Sequence, residues 1–233
     1  MSALLEVIVR HAADAERAET GGADRLELIG RMEHGGMSPE PALVEQVCAA
    51  TTLPVRVMLR LREGFGTDGG ELAHLQGLAA AYEAAGADGL VLGFLNAHTE
   101  IDLGVVQAIV GDREAGWTFH RALDSCISTD RAWRELRRLP GLDAVLTAGS
   151  ARGVAEGLDE LVQRARVDDF ARRVMMAGGG LRAEHVPWLV RAGVRAFHIG
   201  SSARPLGSYK AYVDAELVGT WRTLLDEQTS AHV

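Results

Sequence analysis

Short runs of aliphatic and β-branched residues alternate along the chain with segments whose apolar positions recur every three or four residues. The first kind reads as buried strand, the second as amphipathic helix. Strands are predicted over 4–9, 25–29, 55–60, 89–93, 117–121, 144–147, 174–177 and 196–200. Helices are predicted over 12–20, 38–50, 71–85, 102–114, 129–139, 154–171, 183–192 and 209–227. Ser38 and Pro39 are expected to open the second helix as cap and first-turn proline, and Asp102 to cap the fourth. A long glycine-rich loop spans 63–70.

A repeat supports this division. Gly22-Ala23-Asp24-Arg25-Leu26-Glu27-Leu28 is echoed by Gly86-Ala87-Asp88-Gly89-Leu90-Val91-Leu92, and again from Gly141 and Gly193. Each copy is a helix-ending glycine, a short turn and a buried strand, as a parallel βα unit requires. Eight strands alternating with eight helices in 233 residues make a single-domain α/β protein, a (β/α)8 TIM barrel. An open doubly wound sheet would carry a glycine fingerprint after its first strand, and Val9-Arg10-His11-Ala12 has none.

Composition narrows the function classes. A formal net charge of −8 and a pI near 5.5 argue against a nucleic-acid or anionic-membrane surface. Cys48 and Cys126 stand far apart, which excludes a disulfide scaffold and a Cys-x-x-Cys clamp. Nothing at the start reads as a signal peptide and no apolar run reaches the ~20 residues of a membrane span, so a cytoplasmic protein is expected. Trp117, Trp133, Trp188 and Trp221 are expected to face outward, covering helix–helix contacts or contacts in a homo-oligomer.

In a TIM barrel the chemistry sits at the carboxyl ends of the strands, and strand alternation decides what faces inward. With Leu26, Leu28, Val57, Leu59, Trp117, Phe119 and Phe197 directed at the helices, Glu27, Met58, Arg60, Thr118, His120 and His198 point into the barrel. Glu6 and Arg121 join them as candidates. A carboxylate and imidazoles beside arginines suit an anionic substrate and proton transfer at neutral pH. Gly178, Gly179 and Gly180 after the seventh strand, with Ser201 and Ser202 after the eighth, occupy the usual phosphate position of the fold. Copper(I) favours thiolate, thioether and imidazole, which singles out Cys126, Met175, Met176, His120 and His198. Met175 and Met176 are adjacent in a strand and cannot share one ion. Cys48 reads as a buried helix thiol, His11, His34, His74, His98 and His185 as loop or helix-surface residues, and His232 as tail.

At these residues the sequence resembles the CutC family, named for copper homeostasis. The matching segments are Leu5-Glu6-Val7, Gly22 to Leu28, Glu33-His34-Gly35-Gly36-Met37-Ser38-Pro39, Val57-Met58-Leu59-Arg60, Thr118 to Cys126, Leu146 to Gly149, Met176 to Gly180, and Phe197-His198. The resemblance implies a TIM barrel, a cytoplasmic location and copper binding. Ile8 and Ile29 stand where relatives often carry cysteine, and Arg60-Leu61-Arg62 replaces their Arg-Pro-Arg, so a thiol-based copper site is weakened here. Two functions follow as expectations. One is a copper-homeostasis protein binding a copper ion, with Cys126 and His120 as its local anchor. The other is a TIM-barrel enzyme acting by acid/base chemistry on a small anionic metabolite, phosphorylated or not. In that enzyme Glu27 or His120 transfers protons, Arg60 and Arg121 clamp the anion, and the glycine and serine loops hold its phosphate.

Overall fold

The protein is described by a computed structural model covering residues 3–32, 35–111, 113 and 116–231. Eight parallel strands pair in sequence order: β1 (Leu4–Val9), β2 (Arg25–Leu28), β3 (Val55–Met58), β4 (Gly89–Leu92), β5 (Trp117–Phe119), β6 (Leu142–Thr147), β7 (Met175–Ala177) and β8 (Ala196–Ile199). Pairing of Glu6 with His198 closes β1 on β8 and completes the barrel. Around it run α1 (Ala12–Thr20), α2 (Pro41–Ala49), α3 (Gly69–Ala84), α4 (Leu103–Val110), α5 (Thr129–Leu136), α6 (Val154–Val167), α7 (Asp169–Val174), α8 (Val186–Ala192) and α9 (Ala215–Ser230). Gly22, Gly86, Gly141 and Gly193, the four repeat glycines, all have positive φ, the backbone state that turns a helix end back into a strand. No helix among the described residues is long and apolar enough to cross a membrane.

Several boundaries differ from the sequence reading for identifiable reasons. Ser38 does not cap α2, which opens instead at Pro41. Its backbone N–H donates to the Arg60 carbonyl at 2.8 Å and its Oγ accepts from the Arg60 N–H at 2.9 Å, satisfying the backbone just past β3. The fifth strand stops at Phe119 because His120 caps a 3-10 turn over Arg121–Ser125. The segment 154–171 breaks at Asp168, whose side chain accepts from the Phe170 and Ala171 N–H groups and starts α7. The last helix begins at Ala215, capped by Asp214, so residues 209–214 form a non-helical strap instead. Asp102 caps α4 as expected, while Glu114, His34 and His232 lie outside the described residues.

The core has two parts. Leu5, Val7, Leu26, Leu28, Val57, Leu59, Phe119 and Phe197 pack between strands and helices in the larger cluster. Ile8, Ile29, Met58 and Val91 form a small apolar group inside the barrel, with Met32 and Tyr209 packed against it. Trp117, Trp133 and Trp221 are buried among helices, and Trp188 is the exposed tryptophan at 52%.

Asp14 and Arg204, both fully buried, tie the strap to the first βα unit. Asp14 Oδ2 lies 2.8 Å from Arg204 Nη2 and accepts from the Arg10 N–H at 3.0 Å, and its Oδ1 accepts from the Val213 N–H at 2.8 Å. Arg204 also donates to the Ile8 carbonyl at 3.1 Å and the Ala211 carbonyl at 2.6 Å. His185 is buried rather than on a helix surface, its Nδ1 accepting from the Arg182 N–H at 3.1 Å.

Candidate active site at the carboxyl ends of the strands

Alternation delivers the inward residues as the sequence suggests. Leu26 and Leu28 belong to the outer core, so Arg25 and Glu27 face inward, and the same argument on β3 gives Arg56, Met58 and Arg60. Deep in the barrel, Glu6 is fully buried, with Oε2 2.5 Å from Arg25 Nε and Oε1 2.8 Å from His198 Nδ1. The other ring nitrogen, His198 Nε2, is 3.3 Å from Glu27 Oε2. Beneath this group Arg56 donates to Thr118 Oγ1 at 2.8 Å and pairs with both oxygens of Asp143.

The barrel mouth opens into a cavity of about 470 Å³. Glu27, Arg60, His120, Arg121, His198, Gly179, Gly180, Ser201 and Ser202 all line it. Ile8, Ile29, Met32, Met58, Phe65 and Tyr209 line it as well, so polar and apolar side chains share the cavity. Three candidates do not line the cavity. Glu6 is beneath the floor, joined to the lining by its contact with His198. Gly178 gives its N–H to the Thr147 carbonyl at 3.1 Å. Cys126 borders a separate small cleft with Glu100, Arg131 and Glu135.

The cavity's arginines are held in place from behind. Arg60 donates to the carbonyls of Arg62, Gly64 and Gly35 and lies over the Phe65 ring at 5.0 Å. Arg121 Nε is 2.9 Å from Asp124 Oδ2, and its Nη2 reaches the carbonyls of Ser150 and Ala151. Asp124 in turn accepts from Thr147 Oγ1 and the Ala148 N–H, so one carboxylate orients Arg121 against two neighbouring loops. Glycines leave room for the site: a Cβ on Gly93 would stand 2.6 Å from His120 Nδ1, one on Gly178 2.8 Å from the His198 Cβ, and one on Gly179 2.7 Å from the Arg121 Cζ.

Electrostatics separate the two carboxylates. Burial would raise the Glu6 carboxyl, but Arg25 and His198 outweigh it and hold it at about 2. Burial pushes Glu27 up to about 7 against the pull of His198. His198 is buried too, yet its two carboxylate neighbours raise it above the usual imidazole value. His120 goes the other way: burial, then the charge of Arg60, push it down to about 3. It is a neutral ring at physiological pH. The Ala122 N–H donates to its Nδ1 at 3.2 Å, which leaves the ring proton on Nε2.

Glu6, Glu27 and His198 offer ligand atoms within 4.8 Å of one another, close enough to share an ion. As a copper(I) cage the set does not fit. Both His198 nitrogens face carboxylates, Arg25 occupies Glu6, and the donors are oxygen and nitrogen where copper(I) favours sulfur. Burial and the nearby Glu135 push the Cys126 thiol up to about 11, so it is protonated, and its Sγ contacts the Ala122 carbonyl at 3.7 Å. Met176 faces inward, as barrel filling, beside Arg25 Nη2. Arg25, Arg56, Asp124, Phe65 and Tyr209 were not anticipated as site residues; the same-face spacing of Arg25 with Glu27 and of Arg56 with Arg60 is a signal that identifies two of them.

A closed parallel barrel, with an ionisable cluster and a cavity at the carboxyl ends of its strands, places the chain among the TIM-barrel proteins. The sequence model of the CutC family matches residues 3–203, and the chain belongs to that family. A CutC family protein from Aliivibrio fischeri is 32% identical over 211 residues, covering 88% of this chain and 85% of the relative. One from Klebsiella pneumoniae strain 342 is 34% identical over 198 residues, covering 84% and 79%. Among solved structures, a protein described as the copper homeostasis protein CutC from Streptococcus agalactiae superposes with a TM-score of 0.73 at 25% identity, over 85% of this chain and 98% of that one. Thiamine phosphate pyrophosphorylase from Pyrococcus furiosus, at TM-score 0.59 and 17% identity over 97% of this chain and 96% of that one, shares the fold.

Proposed function

We propose that this CutC-family protein acts in copper homeostasis, the role in the name of its Streptococcus agalactiae relative, and that its working surface is the cavity at the barrel mouth. Of the two ligands expected from the sequence, a copper ion and a small anion, the geometry supports the anion best. One observation carries this: Arg60, Arg121, Gly179, Gly180, Ser201 and Ser202 line a single cavity, whereas both cysteines lie outside it. Guanidinium groups, hydroxyls and glycine peptides are receptors for phosphate or carboxylate. The unpaired thiols of Cys48 and Cys126 suit a reducing compartment, and we place the protein in the cytoplasm.

Thermal shift with orthophosphate and phosphorylated three- to six-carbon compounds tests the anion directly. A ligand at a hundred times its Kd adds about 2.7 kcal/mol, a rise of roughly 5–10 °C for a domain of this size. Arg60→Met and Arg121→Met are each expected to weaken that ligand roughly tenfold or more. Titration with Cu(I) and Cu(II) against competing chelators tests direct copper binding. A one-to-one copper complex that is lost in Cys126→Ser or His198→Ala, with no anion stabilising the protein, would replace the anion reading by a metal one.

A further inference from the structure

Two buried polar atoms that belong to cavity-lining side chains have no hydrogen-bond partner: Glu27 Oε1 and His120 Nε2. They are complementary. Glu27 Oε2 is engaged by His198, which leaves Oε1 as the open acceptor whenever the carboxyl is ionised. His120 Nδ1 is engaged by the Ala122 N–H, which leaves Nε2–H as a fixed donor. A buried donor and a buried acceptor left open cost stability, and a ligand that satisfies both recovers it. Such a ligand presents a hydrogen to Glu27 and an acceptor oxygen to His120. Ile8, Ile29, Met58 and Tyr209 line the same cavity and add an apolar surface to it.

We propose that the cavity catalyses proton transfer at the carbon next to the carbonyl of a small anionic hydroxy-carbonyl compound, with Glu27 as base and His120 as the donor to the carbonyl oxygen. The inference rests on the reading that the cavity takes a small anion. Glu27 Oε1 takes the α-proton, the C–H electron pair becomes the carbon–carbon double bond, and the carbonyl π pair moves onto oxygen. The developing oxyanion accepts the hydrogen bond from His120 Nε2–H. Return of the proton from Glu27 reverses the electron flow, so no oxidant, reductant or second substrate is consumed. A neutral imidazole donates to an enolate oxygen with closer proton-affinity matching than an imidazolium would. Arg60, Arg121 and the Gly179–Gly180 turn hold the anionic end. His198, locked between Glu6 and Glu27, is a positioning residue for the base.

The experiment incubates the full chain in D2O with dihydroxyacetone phosphate or fructose 6-phosphate and follows loss of the α-C–H signal by proton NMR. 2-Phosphoglycolate, which has an anion but no exchangeable α-proton of a ketone or aldehyde, reports binding alone by thermal shift. Exchange well above the buffer rate is expected with at least one carbonyl phosphate. It should fall at least a hundredfold in Glu27→Gln and at least tenfold in His120→Gln, while orthophosphate, which needs only the Arg60 and Arg121 end, still stabilises both variants and certifies that they are folded. Anions that stabilise the protein without any exchange would overturn the proton-transfer inference and leave the anion reading standing. Absence of stabilisation by any of these anions would overturn both. Exchange that is unchanged in Glu27→Gln would overturn the assignment of the base.

Discussion

Asp14→Ala should be among the most destabilising single substitutions in this protein. Asp14 and Arg204 are each fully buried and form the ion pair that fastens the strap to α1. Removing the carboxylate leaves the Arg204 guanidinium desolvated without a counter-ion, and the N–H groups of Arg10 and Val213 lose their acceptor. Breaking one side of such a buried pair costs about 3–5 kcal/mol. At roughly 2–4 °C per kcal/mol for a domain of this length, the expected fall in Tm is about 6–20 °C. Arg204→Met should cost less, because Asp14 keeps two backbone donors and the side chain of His11 at 3.1 Å. Urea unfolding gives the free energies, and amide exchange should speed up across 205–214, which carries Tyr209 to the cavity. A loss below about 1 kcal/mol for Asp14→Ala would show that Arg204 escapes to water, as surface ion pairs do, and would refute the reasoning.

Other predictions concern titration, the thiol and the glycine turn. Glu27 and His198 are both raised in the folded state, Glu27 to about 7, so they stabilise the protein at low pH and that contribution is lost as pH rises through their folded values. Melting curves from pH 5 to 8 should therefore fall more steeply in the wild type than in Glu27→Gln, and parallel curves would contradict the arrangement. Glu6, lowered to about 2, acts at the other end: its contribution is present above its ordinary 4.5 and disappears as pH drops toward 2, so Glu6→Gln should flatten the acid limb. With its thiol at about 11, Cys126 should react with iodoacetamide at pH 8 at least roughly tenfold slower than a free thiol, measured by mass spectrometry of timed quenches. Gly179→Ala places a Cβ 2.7 Å from the Arg121 Cζ at a φ of +92°, and should abolish anion-induced stabilisation while lowering Tm by only a few degrees.

Strand count, closure and the inward direction of Glu27, Arg60, His120 and His198 were all legible because a two-residue period and a repeated glycine are local signals. The same period places Arg25 beside Glu27 and Arg56 below Arg60, and reading only the residues nearest the strand ends hides them. What local pattern could not carry was partnership. Ser38 looks like a cap until the free backbone at Arg60 claims it, and nothing near Cys126 in sequence says that its side chain turns from the cavity. Tyr209 read as the first residue of a helix; the long-range pull of Asp14 and Arg204 on the strap puts it at the mouth instead. The opposed shifts of Glu6 and Glu27 depend on Arg25 bonding directly to one carboxylate and only lying near the other, a tertiary fact.

The glycines packed against the cavity's side chains have a bearing on how this cavity can change. His120, His198, Arg121 and Tyr209 each lie against a glycine, Gly93, Gly178, Gly179 and Gly200 respectively, at distances where a single methyl group would displace them. The room available to a ligand and the aim of the groups that meet it are therefore controlled by the same four positions. A larger residue at any of them does not simply narrow the cavity; it also turns a neighbouring side chain. Reshaping the mouth for a different ligand is more direct through Ile8, Ile29, Met32 and Met58, whose side chains already line the cavity.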